Sequence, residues 1–254
     1  MNDTDSIARR LVDAYRQRIR IPALPASGPA DIGQAYAVQR AVWRELAGEG
    51  RPTAWKVGAS ALDAEPVAAA VLPSRLAFGP ARLPGDLFTG LGIEAEIALR
   101  FARNLPARPK PYDHAEILAA VGSAHVAMEL VDTRLADAAA AGPLWRLADS
   151  LLNGALVLGD AIVDWHGLDG SSRMLRVAVD GQELAHVAGR PPLSDICHCL
   201  PWWLAHVGGV RPGDIVTTGA WSGMHPVAAA GRFAVVIEGL GRVEANVGTG
   251  RVQT

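Results

Sequence analysis

The stretch Gly92-Ile-Glu-Ala-Glu-Ile-Ala-Leu-Arg-Phe101 alternates like a half-buried strand, yet places carboxylates at Glu94 and Glu96. Residues two apart on a strand share a face, so the two acids point one way and Ile93, Ala95 and Ile97 the other. Like charges side by side on an apolar strand repel each other and resist desolvation. Protonation of one acid, pairing with an arginine such as Arg100 or Arg103, or a shared divalent cation would each resolve the conflict. Ser123–Asp132, "SAHVAMELVD", repeats the pattern: His125, Ala127 and Glu129 share one face, and Val126, Met128 and Leu130 the other. Three carboxylates on two apolar strands suit a hard cation such as Mg2+ or Mn2+, which takes oxygen ligands and leaves positions for water or substrate.

Working outward, the first fifty residues read as helical. Ile7, Leu11, Val12 and Tyr15 form one apolar stripe. Ala35, Val38, Val42 and Leu46 form another, which starts after "GPAD" at 28–31 and stops at Gly48 and Gly50. From position 51 the chain turns β-rich. "TAWKVGA" reads as a short strand, "LPSRLAFGPARLPGD" as a turn-rich loop and "YDHAEILAAVG" as a short helix. "ADSLLNGALVLGDAIV" reads as a turn and a buried strand, and "MLRVAVDGQEL" as a hairpin turning at Asp180-Gly181. "SDICHCLPWWLAHVGG" reads as a helix capped by Ser194 and stopped by Gly208-Gly209, with Pro201 either a kink or a break at the helix start. "GDIVTTG", "RFAVVIEGLG" and "RVEANV" supply three closing strands. The expected organisation is a single α+β domain over 1–254, with a helical portion (1–50) and a β-rich catalytic body (51–254).

Bulk properties remove several functions. Among 254 residues the formal net charge is -2, which offers no basic field for nucleic acid or an anionic membrane. No apolar run is long enough to span a bilayer. The acidic N-terminal stretch lacks the apolar core of a secretory signal, and Cys197 and Cys199 are badly spaced for a disulfide. These features predict a cytoplasmic protein. The "CHC" at 197–199 cannot converge on one zinc ion from a helix. Lysine is scarce: of 24 basic residues only Lys56 and Lys110 are lysines. A lysine kept in such a background suggests use of its compact, tunable ammonium.

The ordered motifs "WKVG" (55–58), "GIEAEIAL" (92–99), "AMELVDTR" (127–134), "ADSLLNGALVLG" (148–159), "GDIVTTGAWSGMHPV" (213–227) and "GLGRVEANV" (239–247) resemble one family. It is the 2-keto-4-pentenoate hydratase and 4-oxalocrotonate decarboxylase group, within the fumarylacetoacetate hydrolase-like superfamily. The resemblance runs from about Ile7 to Val247. It implies a mostly β, mixed roll or sandwich of the fumarylacetoacetate hydrolase C-terminal type, with helices packed around it, and homo-oligomeric assembly with possible association with a sister enzyme of the family. It implies Glu94, Glu96 and Glu129 as ligands of Mg2+ or Mn2+, Lys56 as the catalytic lysine, and Thr218 and Gly219 as part of the wall that meets the substrate. His125, on the Glu129 face, fits either a pocket-lining substrate contact or a core histidine. Asp149 and Asn153 fit either support of the site or a cap and turn.

The implied substrates are small 2-oxo or 2-hydroxy acids from aromatic-compound catabolism, the implied reaction water addition to a 2-hydroxy-2,4-dienoate. Decarboxylation of 4-oxalocrotonate, acylpyruvate C–C hydrolysis and a degenerate partner subunit are the alternatives. Hydrolysis is disfavoured because no histidine occurs between Met1 and Ile93. One departure stands out. Family hydratases often carry an acid in the loop after "KVG", where this chain has Ser74 and no Asp or Glu from Val67 to Pro84. His125, Asp63 and Asp86 are the candidates to replace it as the base.

Overall fold

The computed structural model describes residues 3–168, 170–227 and 230–249. The chain opens with α1 (Thr4–Gln17) and α2 (Ile32–Ala47), followed by β1 (Ala54–Gly58), β2 (Val67–Ala70), β3 (Leu76–Phe78), β4 (Ala81–Leu83), β5 (Leu91–Phe101) and β6 (Leu105–Pro106). Next come α3 (His114–Ala120), β7 (Val121–Val131), α4 (Ala138–Ala141), α5 (Pro143–Ala148), β8 (Asn153–Ala161), β9 (Arg173–Val179) and β10 (Gln182–Gly189). The last elements are α6 (Leu200–Val207), β11 (Gly209–Val210), β12 (Ile215–Thr217), β13 (His225–Val227), β14 (Gly231–Ile237) and β15 (Gly241–Val247). This is the mixed α+β architecture expected, with the helical portion at the N-terminus.

The main sheet has the order β2-β1-β12-β5-β7-β8-β3, with β13 also paired to β5. Its two edge strands, β2 and β3, are neighbours in sequence. Laid flat, six steps of about 4.8 Å would separate the edges by about 29 Å. The link from Ala70 to Leu76 reaches at most about 21 Å. The sheet therefore curls, and Val71 and Leu76 close over its concave face, where they pack with Ala54, Ala98, Ala127 and Leu156. The small Ala98 and Ala127 let the curl tighten.

The convex face carries the other half of the alternation. Ile93, Ala95, Ile97, Val126 and Met128 are fully buried there against Phe233, Val235 and Val243. Those last residues belong to a second sheet of order β10-β9-β14-β15-β4. Its β9–β10 hairpin turns at Asp180 (φ 51) and Gly181 (φ 82). Both residues are left-handed, the geometry that an Asp-Gly two-residue turn supplies with little strain.

The N-terminal helices form a separate apolar layer: Ile7, Leu11 and Val12 of α1 pack with Val38 and Val42 of α2 and with Leu135 and Trp145, whereas α3 and α6 join the main core. Helix α2 starts where "GPAD" predicts, with Asp31 accepting from Gln34 N at 2.8 Å. No helix among the described residues is long and apolar enough to cross a membrane.

The structure adds short elements absent from the sequence reading, among them β2, β13, α4 and α5, and it departs from two stated expectations. The turn-rich 72–86 segment contains β3 and β4, each only three residues long, too short to show a period among prolines and glycines. The helix expected from Ser194 starts at Leu200 instead, with Cys199 at its N-cap and Pro201 in its first turn. Ser194 is itself left-handed (φ 57) and lies five residues before the observed N-cap. Proline suits a first turn because its missing N–H has no partner there.

Candidate metal centre and adjoining cavity

The concave face sets the site strand by strand. On β5 and β7, Glu94 lies directly across from Glu129, and Glu96 across from Ala127. Lys56 on β1 is registered with Thr217 on β12, and Thr217 with Ala98 on β5. All these residues share one face. The side chains converge so that one carboxylate oxygen from each of Glu94, Glu96 and Glu129 lies within 4.8 Å of the others. Lys56 Nζ donates to Glu129 Oε1 at 2.6 Å and to the Leu151 carbonyl at 3.1 Å. Asn153 Nδ2 donates to the same Glu129 oxygen at 3.0 Å. Neither Arg100 nor Arg103 pairs with these acids among the described residues; the counter-charge comes from Lys56.

The balance of charge is incomplete. Glu96 Oε2 and Glu129 Oε2 are buried without a hydrogen-bond partner. Burial, and then the Glu129 charge, push Glu94 up to about 7 against the pull of Lys56. Burial and Glu129, with a smaller push from Glu94, take Glu96 up to about 8, while Lys56 and the nearby Thr217 hydroxyl oppose the shift. For Lys56, burial alone would depress the ammonium, but Glu129, Glu94 and Glu96 together outweigh it and its pKa is raised. Two orphaned carboxylate oxygens in an all-carboxylate donor set fit a hard divalent cation, because such groups are otherwise expensive to bury.

A left-handed turn supports the lysine. Ser150, Leu151 and Leu152 have φ of 53, 53 and 63, uncommon for residues bearing a Cβ. A buried clamp precedes them. Arg134 Nε bonds Asp149 Oδ1 at 2.6 Å, Arg134 Nη2 bonds the Asp149 carbonyl at 2.9 Å and Nη1 the Asn153 carbonyl at 3.1 Å. Asp149 also accepts from Thr133 Oγ1 and the Arg134 backbone. Asp149 and Asn153 thus do both things their sequence context allowed: they fix the turn, and the turn serves the site.

A cavity of about 230 Å³ lies at the ends of β1 and β12, with Val57, Ile196 and Cys199 in its wall and none of Lys56, Glu94, Glu96 or Glu129 lining it. Gly58, two residues beyond Lys56, lines it together with Ala59, Val67, Thr218 and Gly219. Thr218 N and Oγ1 both donate to the carbonyl of Ile97, next to Glu96. Thr218 and Gly219, expected as substrate wall, line this cavity, and Thr218 follows Thr217 of the acid-bearing face.

His125 is not among the cavity's lining residues. Its Nδ1 is bonded to the Gly159 carbonyl and its Nε2 to Ser123 Oγ, both at 2.8 Å. Alternation put His125 on the Glu129 face, but four residues along a strand is about 13 Å. Sequence reading missed Thr217 and the Leu151 carbonyl. Alternation from Lys56 across the register offers Thr217; nothing local points to the carbonyl.

Comparison with known proteins agrees with this fold. A family model described as fumarylacetoacetate (FAA) hydrolase C-terminal matches residues 43–248. A 2-keto-4-pentenoate hydratase of Paraburkholderia phymatum is 29% identical, with 96% of this chain and 97% of that protein covered. The 2-keto-4-pentenoate hydratase of Burkholderia vietnamiensis is 30% identical over the same shares. Among solved structures, 4-oxalocrotonate decarboxylase from Pseudomonas putida, complexed with magnesium and adipate, superposes with a TM-score of 0.79 at 19% identity. The match covers 96% of this chain and 97% of that one. A fumarylpyruvate hydrolase from Pseudomonas aeruginosa, in complex with Mn2+ and pyruvate, superposes with a TM-score of 0.51 at 16% identity, over 76% and 88% of the two chains. With its curled sheet, clustered acids and matched span, this chain is an enzyme of the fumarylacetoacetate hydrolase family.

Proposed function

We propose that this enzyme adds water to a short 2-hydroxy-2,4-dienoate carrying a single carboxylate. The observation that carries the reading is the set of Glu94, Glu96 and Glu129 facing Lys56; the reading takes as the substrate's place the small cavity that starts two residues beyond Lys56, whose wall holds no Lys, Arg or His. The three glutamates would hold Mg2+ or Mn2+, which supplies a Lewis acid for the substrate's carboxylate and 2-oxygen. Lys56 keeps its proton in the field of the acids. Two of its three N–H groups are held by Glu129 and Leu151, and the third is left to meet the substrate. The apolar wall, with Val67, Leu193 and Ile196, excludes water from the hydrocarbon end of the substrate and holds it in place.

Decarboxylation of 4-oxalocrotonate is the second reading, favoured by the superposition over nearly the whole chain. That substrate carries a second carboxylate. In this cavity it would meet no cation and one carboxylate, Asp195, an arrangement that disfavours a second anion. The curated relatives named as hydratases favour the first reading. The proposal extends to a cytoplasmic homo-oligomer, which sedimentation equilibrium can check for assembly.

The test is to incubate the Mn2+-loaded protein with 2-hydroxypenta-2,4-dienoate and with 4-oxalocrotonate, following water addition by NMR and release of carbon dioxide. Formation of 4-hydroxy-2-oxopentanoate supports the proposal. Rapid carbon dioxide release with no hydrated product reverses it.

A further inference from the structure

Water addition needs a base, and the acid that family hydratases often carry after the "KVG" motif is absent here. The structure disposes of the obvious replacements. Ser74 is exposed, and neither it nor any other residue from 68 to 84 lines the cavity. Asp86 is paired with Arg18 at 2.7 Å. Both nitrogens of His125 are engaged inside the sheet. Asp63 is exposed and is not a lining residue, and Glu65 accepts from Trp202 Nε1.

The polar groups of the cavity wall are those of Asp195, Cys199 and Thr218. The Thr218 hydroxyl is committed to the Ile97 carbonyl. Burial and the charge of Asp195 push the Cys199 thiol up to about 11, which leaves it a poor base near neutrality. Asp195 remains. Its Oδ1 accepts from Cys197 N at 2.7 Å, which fixes the carboxylate on its turn. Its Oδ2 faces His114 Nδ1 at 3.6 Å, beyond hydrogen-bond length, so that this oxygen retains lone pairs. The side chain is 42% exposed, which gives a transferred proton a route to solvent.

We infer that Asp195 is the catalytic base of hydration in this chain, supplied from the segment before α6 rather than from the loop after β1. The inference rests on the hydratase reading above. In the step assigned to it, the dienol has first become the 2-oxo-3-enoate by protonation at C5. A water oxygen then bonds to C4, its proton passes to Asp195 Oδ2, and the C3=C4 electron pair moves to leave an enolate on the C2 oxygen. Return of the proton to C3 completes the addition of one water and restores the carboxylate.

The test compares wild type with Asp195→Asn, whose side-chain oxygen can still accept from Cys197 N. The readouts are Mn2+ affinity by calorimetry, and separate rates by NMR for loss of the dienol and for appearance of 4-hydroxy-2-oxopentanoate. The expected result is Mn2+ affinity within about twofold of wild type, continued loss of dienol, accumulation of the unhydrated 2-oxo-3-enoate, and hydration slowed about a hundredfold or more. Asp195→Glu, which keeps a carboxylate, is expected to recover part of that loss. Hydration at the wild-type rate in Asp195→Asn overturns the assignment. Equal loss of Mn2+ binding and of both steps also overturns it, because the residue would then be structural. If wild type itself forms no hydrated product, the hydratase reading fails before this residue is put to the question.

Discussion

At Glu94 and Glu96, burial opposes charge. The carboxyls are pushed from an ordinary 4.5 to about 7 and about 8. Their folded-state values lie above their unfolded ones, so folding favours the protonated forms. Below about pH 4.5 both states are protonated and nothing is lost; as pH rises through that value towards 8 the metal-free protein is progressively destabilised. A bound cation cancels the penalty. The increase in melting temperature on adding Mn2+ should therefore grow with pH between about 4.5 and 8. An increase that is flat or falls over that range contradicts the assignment.

Removing one charge should separate binding from folding. Glu96→Gln is expected to melt at or above the metal-free wild type while losing at least about a hundredfold in Mn2+ affinity, since even outer-sphere changes cost 10- to 100-fold. Unchanged affinity by calorimetric titration would sink it. Lys56→Arg should fail to restore turnover, because a planar guanidinium cannot occupy the position of an ammonium held by Glu129 and Leu151. Near-normal turnover would mean that positive charge alone suffices.

At the scale of elements, the strand pairs bring the acids together and the Asp149–Asn153 turn completes their surroundings. Asp149→Ala would leave Arg134, fully buried, without its carboxylate. Breaking such a pair typically costs about 3–5 kcal/mol. A large fall in denaturant midpoint is expected, along with weakened Mn2+ binding because Lys56 and Glu129 lose their supports. A change of less than about 1 kcal/mol would show that the turn stands without the clamp. The end of β1 offers a cleaner probe of the cavity. A Cβ added at Gly58 meets nothing within 4 Å. Gly58→Val should fill space where substrate binds, raising KM about tenfold or more while leaving Mn2+ affinity intact; an unchanged KM would place the substrate elsewhere.

Across the whole molecule, legibility follows the range of the interaction. Glu94, Glu96 and Glu129 were readable because a period of two fixes sidedness from sequence alone, and the observed register pairs them as the alternation requires. The Asp180-Gly181 hairpin and the α2 start were readable because turn and cap chemistry is local. Strands β3 and β4 were hidden by their length. His125 was placed on the right face, and the distance along the strand separates it from Glu129. The Leu151 carbonyl and Asp195 were illegible because their roles depend on packing between segments far apart in the chain.

The curl of the main sheet, forced by the short β2–β3 link, brings one face of five strands around one point. Filling that point should stabilise the whole fold. Mn2+ at a hundredfold over its Kd adds about 2.7 kcal/mol, or roughly 5–11 °C in Tm for a chain of this size.

The central claim is that Glu94, Glu96 and Glu129 together hold one divalent cation. Anomalous diffraction at the manganese edge, from crystals equilibrated with Mn2+, tests it directly. The account predicts one dominant peak about 2.0–2.3 Å from a carboxylate oxygen of each of the three glutamates. A dominant peak bonded to other residues, or none at these three, would contradict it.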